Sequence, residues 1–426
     1  MFGGGHFFCI RLQFPQITRM SERKAIQLQP LLVRSVAEAL FSIFCEQRYA
    51  DKVIEHTLRN NKKAGSRDRA FIAESTYEIV RYYRLYTELL GRQPGSVWDF
   101  WQICGIHFVV TREQPLPGFQ EFSRLDYRRI LDDYDKLKGN RAIRESIPEW
   151  LDALGREELG DKWEKTIHAL NQPARVVLRT NRLKTERKAL QEKLAAEQIF
   201  CEQAGSGDAL VLSQRKNVFQ SEAFKKGMFE VQDYSSQLVA PLLAPGPGMR
   251  VVDACAGGGG KTLHLAALMQ NRGLIIAMDT LEWKLDALRL RARRAGATNI
   301  ETRVIENNKV IKRLHGTADR LLLDVPCSGL GVLRRNPDTK WKLSPDQVTE
   351  LEKTQQAILQ SYSPILKPGG RMVYATCSVL PSENSAQVKQ FLQSESGKDF
   401  TLLEEHSILP QDEGYDGFYM ALLSRS

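Results

Sequence analysis

Two cysteines in this sequence each follow, within a few residues, a run that is typical of a buried strand, and a serine follows each cysteine. The run 320–323 leads into Asp324 and then Cys327, and the run 372–376 leads into Cys377. A proline between Asp324 and Cys327 ends the first strand, because proline cannot donate to a sheet ladder. Thiolates are strong nucleophiles, and carboxylates can orient a substrate or hold a proton. Ligands of open α/β sheets bind beyond the carboxyl ends of the strands, so we expect these three side chains at one reactive edge.

A glycine-rich stretch, 253–262 (DACAGGGGKT), is typical of a strand end, a ligand-binding loop and a helix start. Glycine lets a ligand approach the backbone, and free amides at a helix N-terminus attract electronegative groups. One interpretation is the phosphate loop of an ATPase, since 260–262 match its ending and 321–324 imitate a Walker B strand. That pattern requires a glycine where Cys255 stands. The other interpretation is the cofactor loop of a methyltransferase-type Rossmann domain, which needs an acid about 20 residues further on. Asp279 meets that requirement, so we favour the second interpretation.

Alternating strand and helix patterns surround these residues and must position them. They predict a Rossmann-like, doubly wound parallel sheet, closed by a terminal hairpin at its edge. Strands are predicted at 250–253, 274–279, 302–305, 320–324, 371–376, 400–404 and 418–423, with helices near 261–269, 282–295, 345–361 and 382–393.

The chain divides into four predicted segments. Residues 1–19 are expected to be a disordered tail or an extension ahead of a functional start at Met20. Residues 20–145 have helical periodicity and a basic loop at 59–69, for which a solvated turn and a phosphate-contacting edge both stay open. Residues 146–226 predict a small α/β linker domain with strands at 175–181 and 209–212, and 227–426 form the Rossmann-like catalytic domain.

Composition narrows the class of protein further. The chain has 426 residues, a formal net charge of +9 and seven cysteines. The basic balance is compatible with a nucleic-acid partner. An odd number of scattered cysteines without a CxxC pair argues against a disulfide framework or a zinc site, so we predict a cytoplasmic protein without a metal. No run of 18 apolar residues occurs, which predicts no membrane span. We also expect a monomer.

A thiolate beside a methyl-donor loop suits one reaction in particular, the methylation of a pyrimidine at carbon 5. Carbon 5 of cytosine is a poor nucleophile. A thiolate that adds to carbon 6 converts the ring to an enamine-like species, and a carboxyl group at nitrogen 3 stabilises it. The hydrogen on carbon 5 must then leave and the thiolate must be expelled, steps in which a second cysteine can assist.

The sequence resembles the ribosomal RNA cytosine-C5 methyltransferases of the Sun/Fmu (RsmB-like) group within the NOP2/Sun superfamily. The resemblance covers nearly all of 146–426, and 20–145 is similar in character to the NusB-like RNA-binding domain of that group. The motifs that carry it lie at 231–238 (VQDYSSQL), 253–262, 324–329 (DVPCSG), 334–338 (RRNPD), 375–378 (ATCS) and 416–418 (DGF).

This resemblance implies roles for individual residues. Cys377 corresponds to the nucleophile, Cys327 to the cysteine that helps release the product, and Asp324 to the carboxylate that contacts the cytosine beside the cofactor. Asp279 is implied to bind the ribose of S-adenosylmethionine. The loop implied to surround that cofactor consists of Cys255, Ala256, Gly257, Gly258, Gly259, Gly260 and Lys261.

Two departures from the family pattern concern the cofactor. Gly257 and Gly258 replace the usual Ala-Pro, which predicts a more mobile loop in the absence of ligand. Asn307-Asn308 stands where an aspartate near the adenine is usual, and asparagine can still donate and accept hydrogen bonds. We therefore expect Asn307 to contribute to cofactor binding.

The long loop 330–342 is a third predicted site. It carries Arg334, Arg335, Lys340, Trp341 and Lys342, and cations beside an aromatic residue suit a flipped-out base in folded RNA. The arginine-rich helix 285–295 is expected to be a solvated face.

The predicted function is S-adenosylmethionine-dependent formation of 5-methylcytosine in RNA, with 16S ribosomal RNA as the expected substrate, through a covalent adduct between Cys377 and carbon 6. Transfer RNA and large-subunit ribosomal RNA stay open as substrates. A non-catalytic RNA-binding or ribosome assembly factor on the same fold also stays open.

Overall fold

The computed structural model describes residues 28–61, 64–205 and 207–426. The predictions for 1–19 and Met20, and for Lys62 and Lys63 of the basic loop, lie outside these residues. The chain divides into two compact units, with the boundary between Pro148 and Glu149. Within the described residues, no helix is long and apolar enough to cross a membrane.

The described part of the first unit is helical, as its periodicity predicts. Helix α1 buries Leu32, Val36, Leu40 and Ile43 along one face, which is the three-to-four spacing of an amphipathic helix. Similarity to a NusB-like domain stays a prediction. The helices are α1 (Pro30–Phe44), α2 (Ala50–Asn60), α3 (Ser66–Arg81), α4 (Tyr83–Leu90), α5 (Val97–Arg112), α6 (Tyr127–Leu137) and α7 (Arg141–Arg144).

The second unit begins with two helices and a small antiparallel sheet. Helices α8 (Glu149–Leu159) and α9 (Lys162–Leu170) precede the strands β1 (Val177–Thr180), β2 (Cys201–Ala204), β3 (Ala209–Leu212) and β4 (Phe229–Val231), with α10 (Arg187–Ala196) and α11 (Glu222–Lys225) between them. The strand order is β2-β3-β1-β4. The sequence predicted β1 and β3 but not β2 or β4, and β4 lies beyond the predicted boundary at residue 226. That boundary stays a prediction.

A seven-stranded sheet forms the centre of the second unit. Its strands are β5 (Arg250–Asp253), β6 (Leu274–Asp279), β7 (Ile300–Val304), β8 (Ala318–Asp324), β9 (Leu366–Thr376), β10 (Phe400–Ile408) and β11 (Phe418–Arg425). The spatial order is β10-β11-β9-β8-β5-β6-β7. Strands β5 to β9 run parallel, whereas β11 pairs antiparallel with both β9 and β10. The sheet is therefore mixed rather than wholly parallel. The predicted terminal hairpin is confirmed, with β10 at the edge and β11 one place inside it.

Helices and apolar cores cover both faces of this sheet. One core joins Val252, Leu321 and Tyr374, and the other joins Val251, Leu322 and Val373. Neighbouring strand residues thus alternate between the two cores, as buried parallel strands require. The helices are α12 (Tyr234–Gln237), α13 (Val239–Leu243), α14 (Gly260–Leu268), α15 (Glu282–Ala295), α16 (Asn308–Lys312), α17 (Thr339–Lys342), α18 (Pro345–Tyr362), α19 (Ser385–Leu392) and α20 (Pro410–Glu413).

The strand order reverses at β5, because β6 lies on one side of it and β8 on the other. Connections leave the sheet in opposite directions at such a point and open a crevice beyond the carboxyl ends. The carboxyl ends of β5, β6, β8 and β9 lie at this edge, which we call the rim.

Candidate active site

Parallel pairing of β8 with β9 brings the two cysteine segments together. Asp324 is the register partner of Ala375, and the amide of Val325 donates to the carbonyl of Ala375 at 3.1 Å. Both chains therefore leave the sheet at the same level. Cys327, three residues after Asp324, and Cys377, two residues after Ala375, then lie side by side.

The two thiols are in direct contact. The Sγ atoms of Cys327 and Cys377 are 3.4 Å apart, and both residues are half-buried. The two serines repeat the arrangement beneath them, with the Oγ atoms of Ser328 and Ser378 at 3.3 Å. The repeated Cys-Ser pair in the sequence is thus a matched pair of turns in the structure.

A buried carboxylate holds the first of these turns, and the sequence analysis missed it. Glu383 is 0% exposed; it accepts from the amide of Ser328 at 2.8 Å and from its hydroxyl at 2.5 Å. The side chain of Gln355 donates to the same carboxylate at 3.0 Å. Nothing in the local pattern distinguishes Glu383 from a surface acid, since its partners come from two other elements.

The chemical environment raises the pKa of one of the two thiols. The contact with Cys377, burial and the nearby Glu383 all raise the pKa of the Cys327 thiol well above its ordinary value. Cys327 therefore keeps its hydrogen at neutral pH and can donate it to the sulfur of Cys377.

Two glycines allow the backbone around Cys377 to close. The amide of Gly331 donates to the carbonyl of Cys377 at 2.9 Å, and the amide of Gly417 donates to the carbonyl of Gly331 at 2.8 Å. A Cβ atom on Gly331 would stand 2.1 Å from the carbonyl oxygen of Gly417 and 2.7 Å from that of Cys377. Only glycine can be accommodated where three backbone segments lie this close together.

An ion pair lies at the end of β8. The Nζ atom of Lys261 donates to Oδ2 of Asp324 at 2.6 Å, with the side chains 12% and 29% exposed respectively. The Lys261 ammonium also lies 5.0 Å from the ring centroid of Phe418. The pair joins the first turn of α14 to the end of the strand that precedes Cys327.

The glycine loop, residues 255–261, links β5 to α14 and rests on Asp279 at the end of β6. The amide of Gly257 donates to Oδ2 of Asp279 at 3.0 Å, and the amide of Leu281 donates to Oδ1 at 2.9 Å. Gly257 and Gly259 have positive φ angles of 53° and 84°. A Cβ atom on Gly259 would lie 2.5 Å from Leu288, whereas one on Gly257 would meet nothing within 4 Å.

The remaining predicted cofactor residues lie around the same edge. Ala256 donates its amide to the carbonyl of Met278 at 2.8 Å, and Cys255 is half-buried with its thiol pKa raised by burial. Asn307 follows β7, is exposed, and caps α16 by accepting from the amide of Lys309 at 2.9 Å.

Asp253, at the end of β5, is a further rim residue to which the sequence analysis gave no role. It is 1% exposed and accepts from the hydroxyl of Thr262 at 2.7 Å. Burial, followed by the neighbouring charge of Asp324, raises its pKa to about 7. It ties the strand before the glycine loop to the helix after it.

The predicted RNA-contacting loop 330–342 needs correction. Arg334 and Lys340 are only 4% and 1% exposed. Arg334 donates to the carbonyls of Gly414 and Ala169 at 2.6 and 2.9 Å, and Lys340 to the side chain of Asn171 at 3.3 Å. The prediction that these two cations contact RNA is wrong, because they are buried and hydrogen-bonded to other groups of the protein.

Arg335 of the same loop joins two buried acids. It donates to Oδ2 of Asp416 at 2.6 Å and to Oδ2 of Asp233 at 2.8 Å. Burial and the neighbouring Asp233 raise the pKa of Asp416 to about 6. Three of the sequence motifs, 231–238, 334–338 and 416–418, therefore meet in one ionic cluster. In the part of the chain that the structure describes, no group of three or more His, Cys, Asp or Glu residues could hold a metal ion.

Two family models match the second unit. Residues 240–424 match the model described as 16S rRNA methyltransferase RsmB/F. Residues 147–219 match the model of a ferredoxin-like domain of RsmF/B-like methyltransferases. The first match contains the rim, and the second contains strands β1 to β3 of the small sheet.

Several relatives match nearly the whole chain. A probable ribosomal RNA small subunit methyltransferase B of Synechocystis is 36% identical over 429 residues, covering 89% of this chain and 96% of the relative. Ribosomal RNA small subunit methyltransferase B of Erwinia tasmaniensis is 36% identical over 409 residues, covering 85% and 92%. Among solved structures, PH0851 is similar in fold, with a TM-score of 0.77 over 94% of this chain and 100% of its own, at 24% identity.

Proposed function

The chain belongs to the RsmB/F family of 16S rRNA methyltransferases, and we propose that it methylates carbon 5 of a cytosine in small-subunit ribosomal RNA. The observation that carries this proposal is the pair of thiols 3.4 Å apart beside the Asp324–Lys261 pair. The relatives described above, which are named for small-subunit ribosomal RNA, support the choice of substrate.

Cys377 is the proposed nucleophile. Its sulfur lies 3.4 Å from that of Cys327, close enough for the Cys327 thiol to donate a hydrogen bond that stabilises the Cys377 thiolate. The thiolate forms a bond to carbon 6 of cytosine, and the electrons of the 5,6 double bond make carbon 5 nucleophilic. The hydrogen bond from Gly331 fixes the backbone of Cys377 during this step.

Cys327 is proposed to act after methyl transfer. Once the sulfur of Cys377 is bonded to carbon, the first cause of the raised pKa of Cys327 disappears, so this thiol ionises more readily. The thiol releases its proton to solvent, and the resulting thiolate accepts the proton from carbon 5. The electrons of the carbon–hydrogen bond re-form the 5,6 double bond, and the bond between carbon 6 and sulfur breaks with its electrons returning to Cys377.

Asp324 is the proposed contact to the cytosine ring. A carboxylate can accept a hydrogen bond from protonated nitrogen 3 and so stabilise the charge that the adduct places on the ring. Lys261 holds the carboxylate in place through the 2.6 Å bond. Because Lys261 also belongs to the glycine loop, the substrate carboxylate and the cofactor loop are positioned by one side chain.

The residues of the rim fit S-adenosylmethionine, which would supply the methyl group. Each oxygen of Asp279 accepts one backbone amide, and a carboxylate oxygen has a second lone pair left for a ribose hydroxyl. The backbone at Gly257 is open, so a ligand can approach it closely. The proposed cofactor residues are Cys255, Ala256, Gly257, Gly258, Gly259, Gly260, Lys261, Asp279, Asn307 and Asp324.

The helical unit is proposed to be the NusB-like RNA-binding domain. Its support is the basic character of the loop 59–69 and the net charge of +9 of the chain as a whole. Arg59 is paired with Glu55 at 2.6 Å, and Arg69 donates to the carbonyl of Leu58 at 2.6 Å. These two arginines therefore stabilise the loop's ends.

Alanine substitution of each cysteine tests the two-thiol mechanism. Cys377→Ala should abolish methyl transfer to purified ribosomal RNA. Cys327→Ala should trap a protein–RNA adduct that survives denaturing gels, because addition proceeds and release fails. Cys45→Ala is the matched control, since Cys45 is exposed and belongs to the other unit. Normal turnover without an adduct in Cys327→Ala would overturn the assignment.

The RNA target is tested separately. Bisulfite sequencing of RNA from a deletion strain should reveal one cytosine of 16S ribosomal RNA that loses its methyl group. A lost mark in transfer RNA or large-subunit RNA would move the substrate assignment. An unchanged RNA, together with no single-turnover methylation, would favour a non-catalytic assembly factor.

A further inference from the structure

Two arginines from outside the glycine loop donate to its carbonyls. Arg291, on α15, donates through Nη1 to the carbonyl of Gly258 at 2.5 Å. Arg179, on β1 of the small sheet, donates through Nη1 to the carbonyl of Gly260, also at 2.5 Å. Both are charged donors, whose hydrogen bonds are stronger than neutral ones.

Glu230 anchors this arrangement. It lies on β4 and is 3% exposed. It accepts from Nη2 of Arg291 at 2.9 Å and from Arg294 on the same helix. Glu230 is also the register partner of Arg179 on the neighbouring strand. The small sheet therefore supplies one arginine and the carboxylate that holds the other.

The small sheet is itself fixed to the helix that carries Arg291. The side chain of Asn181, two residues beyond Arg179, donates to the carbonyls of Gly227 and Ala295, both at 2.8 Å. Arg179 is 2% exposed, and burial lowers its pKa only to about 10, so it stays charged at neutral pH. Its second acceptor is the side chain of Gln232.

We propose that Arg179 and Arg291 are positioning residues that hold the glycine loop in its ligand-binding conformation, with Glu230 as their anchor. A peptide group is planar, so fixing the carbonyl of Gly258 also fixes the amide of Gly259, and fixing that of Gly260 fixes the amide of Lys261. A run of four glycines has high conformational freedom, and ordering it before binding removes part of the entropic cost of binding. The choice of an adenosyl ligand rests on the proposed function, whereas the bracing of the loop does not.

Arg291→Met in the full chain tests the proposal, with Arg289→Met as its control. Arg289 lies on the same helix but bonds to Thr302 and Asp286 instead of the loop. Arg291→Met leaves Glu230 paired with Arg294, so the fold should be retained. Hydrogen exchange without ligand should quicken in the loop of Arg291→Met and stay unchanged in Arg289→Met.

Binding is measured by calorimetry with S-adenosylhomocysteine. Loss of one charge-assisted bond should raise the Kd of Arg291→Met about ten-fold, with little change for Arg289→Met. The KM for S-adenosylmethionine should rise while kcat at saturation stays unchanged. Arg291→Lys should give an intermediate Kd, because one ammonium cannot reach both of its acceptors.

Three results would overturn the proposal: unchanged loop exchange in Arg291→Met, equal Kd values for the two methionine variants, or faster exchange throughout the unit with a lower melting temperature. If the unaltered chain bound no S-adenosylhomocysteine, the proposed cofactor would be wrong. The exchange comparison would then still decide whether the arginines brace the loop.

Discussion

Replacing Gly331 by alanine tests whether the backbone behind Cys377 is as tightly constrained as its contacts indicate. The new Cβ atom would stand 2.1 Å from the carbonyl oxygen of Gly417, although Cβ atoms essentially never approach closer than 3.0 Å. The two backbones must therefore separate by about 0.9 Å, the difference between those distances. That movement strains the hydrogen bonds that join Gly331 to Cys377 and to Gly417.

The expected magnitude follows from these contacts. Two neutral hydrogen bonds contribute about 1 kcal/mol each, and overpacking costs about 1–3 kcal/mol, so the free energy of unfolding should fall by about 3–5 kcal/mol. For a unit of this size that corresponds to a fall in Tm of about 10 °C. A displacement of the nucleophile by roughly 1 Å should slow methyl transfer about 100-fold.

Calorimetric melting and a radiolabelled methyl-transfer assay, performed well below the Tm, measure the two effects. Gly139→Ala is the control, because a Cβ atom there meets nothing within 4 Å. If Gly331→Ala melted like the control and kept its turnover, the close approach at Cys377 would have no energetic or catalytic weight.

Three further predictions concern buried charge and the cofactor. Burial raises the pKa of Asp253 to about 7, so between about pH 4 and 7 the folded protein holds a proton that the unfolded chain has released, and stability falls as pH rises through this window. Asp253→Asn should remove that fall. If the Tm values of the two proteins changed in parallel from pH 5 to 8, this prediction would be contradicted. Arg335→Met removes the cation that joins two buried carboxylates and leaves Asp416, among the described residues, with only Arg334, at 3.9 Å, so it should destabilise the protein by about 3–5 kcal/mol. Because the pKa of Asp416 is already about 6 and would rise further, the loss should be smaller at pH 5 than at pH 8. Equal losses at the two pH values would count against the cluster. Asp279→Ala should raise the Kd for S-adenosylhomocysteine about ten-fold or more. Asp286→Ala is the control and should leave the Kd unchanged, because the Asp286 side chain is 61% exposed. If calorimetry gave the same Kd for both variants, Asp279 would not belong to the cofactor site.

Strand prediction succeeded where buried apolar residues were consecutive and an acid marked the end of the run. The predicted bounds of β5 and β6 agree with the structure residue for residue. β2 was missed because its two middle residues, Glu202 and Gln203, are polar and exposed, so it contains no apolar run. β4 was missed because it is only three residues long. The sequence also did not predict that β11 lies inside the sheet and pairs antiparallel, because strand pairing depends on contacts between segments that are distant in the chain.

Charged residues show a second limit of prediction from sequence. Arg334 and Lys340 were assigned to RNA because a cation in a loop resembles a phosphate ligand, yet they are buried against carbonyl and amide oxygens. Arg291 was placed on a solvated face, yet it bonds to Gly258 and Glu230. Whether a guanidinium faces water or a buried acceptor depends on residues far away in the chain, which local composition does not report.

The sequence by itself determined which side chains stand at the strand ends, because a parallel strand that stops at an acid or a proline presents the following residues at the carboxyl edge. It thereby brought Asp324, Cys327 and Cys377 to one rim. Only the tertiary structure decided that the two thiols touch and that this contact raises the pKa of the Cys327 thiol. The register of β8 against β9 sets that contact, and the buried Glu383, reached from another element, contributes to the charge around it.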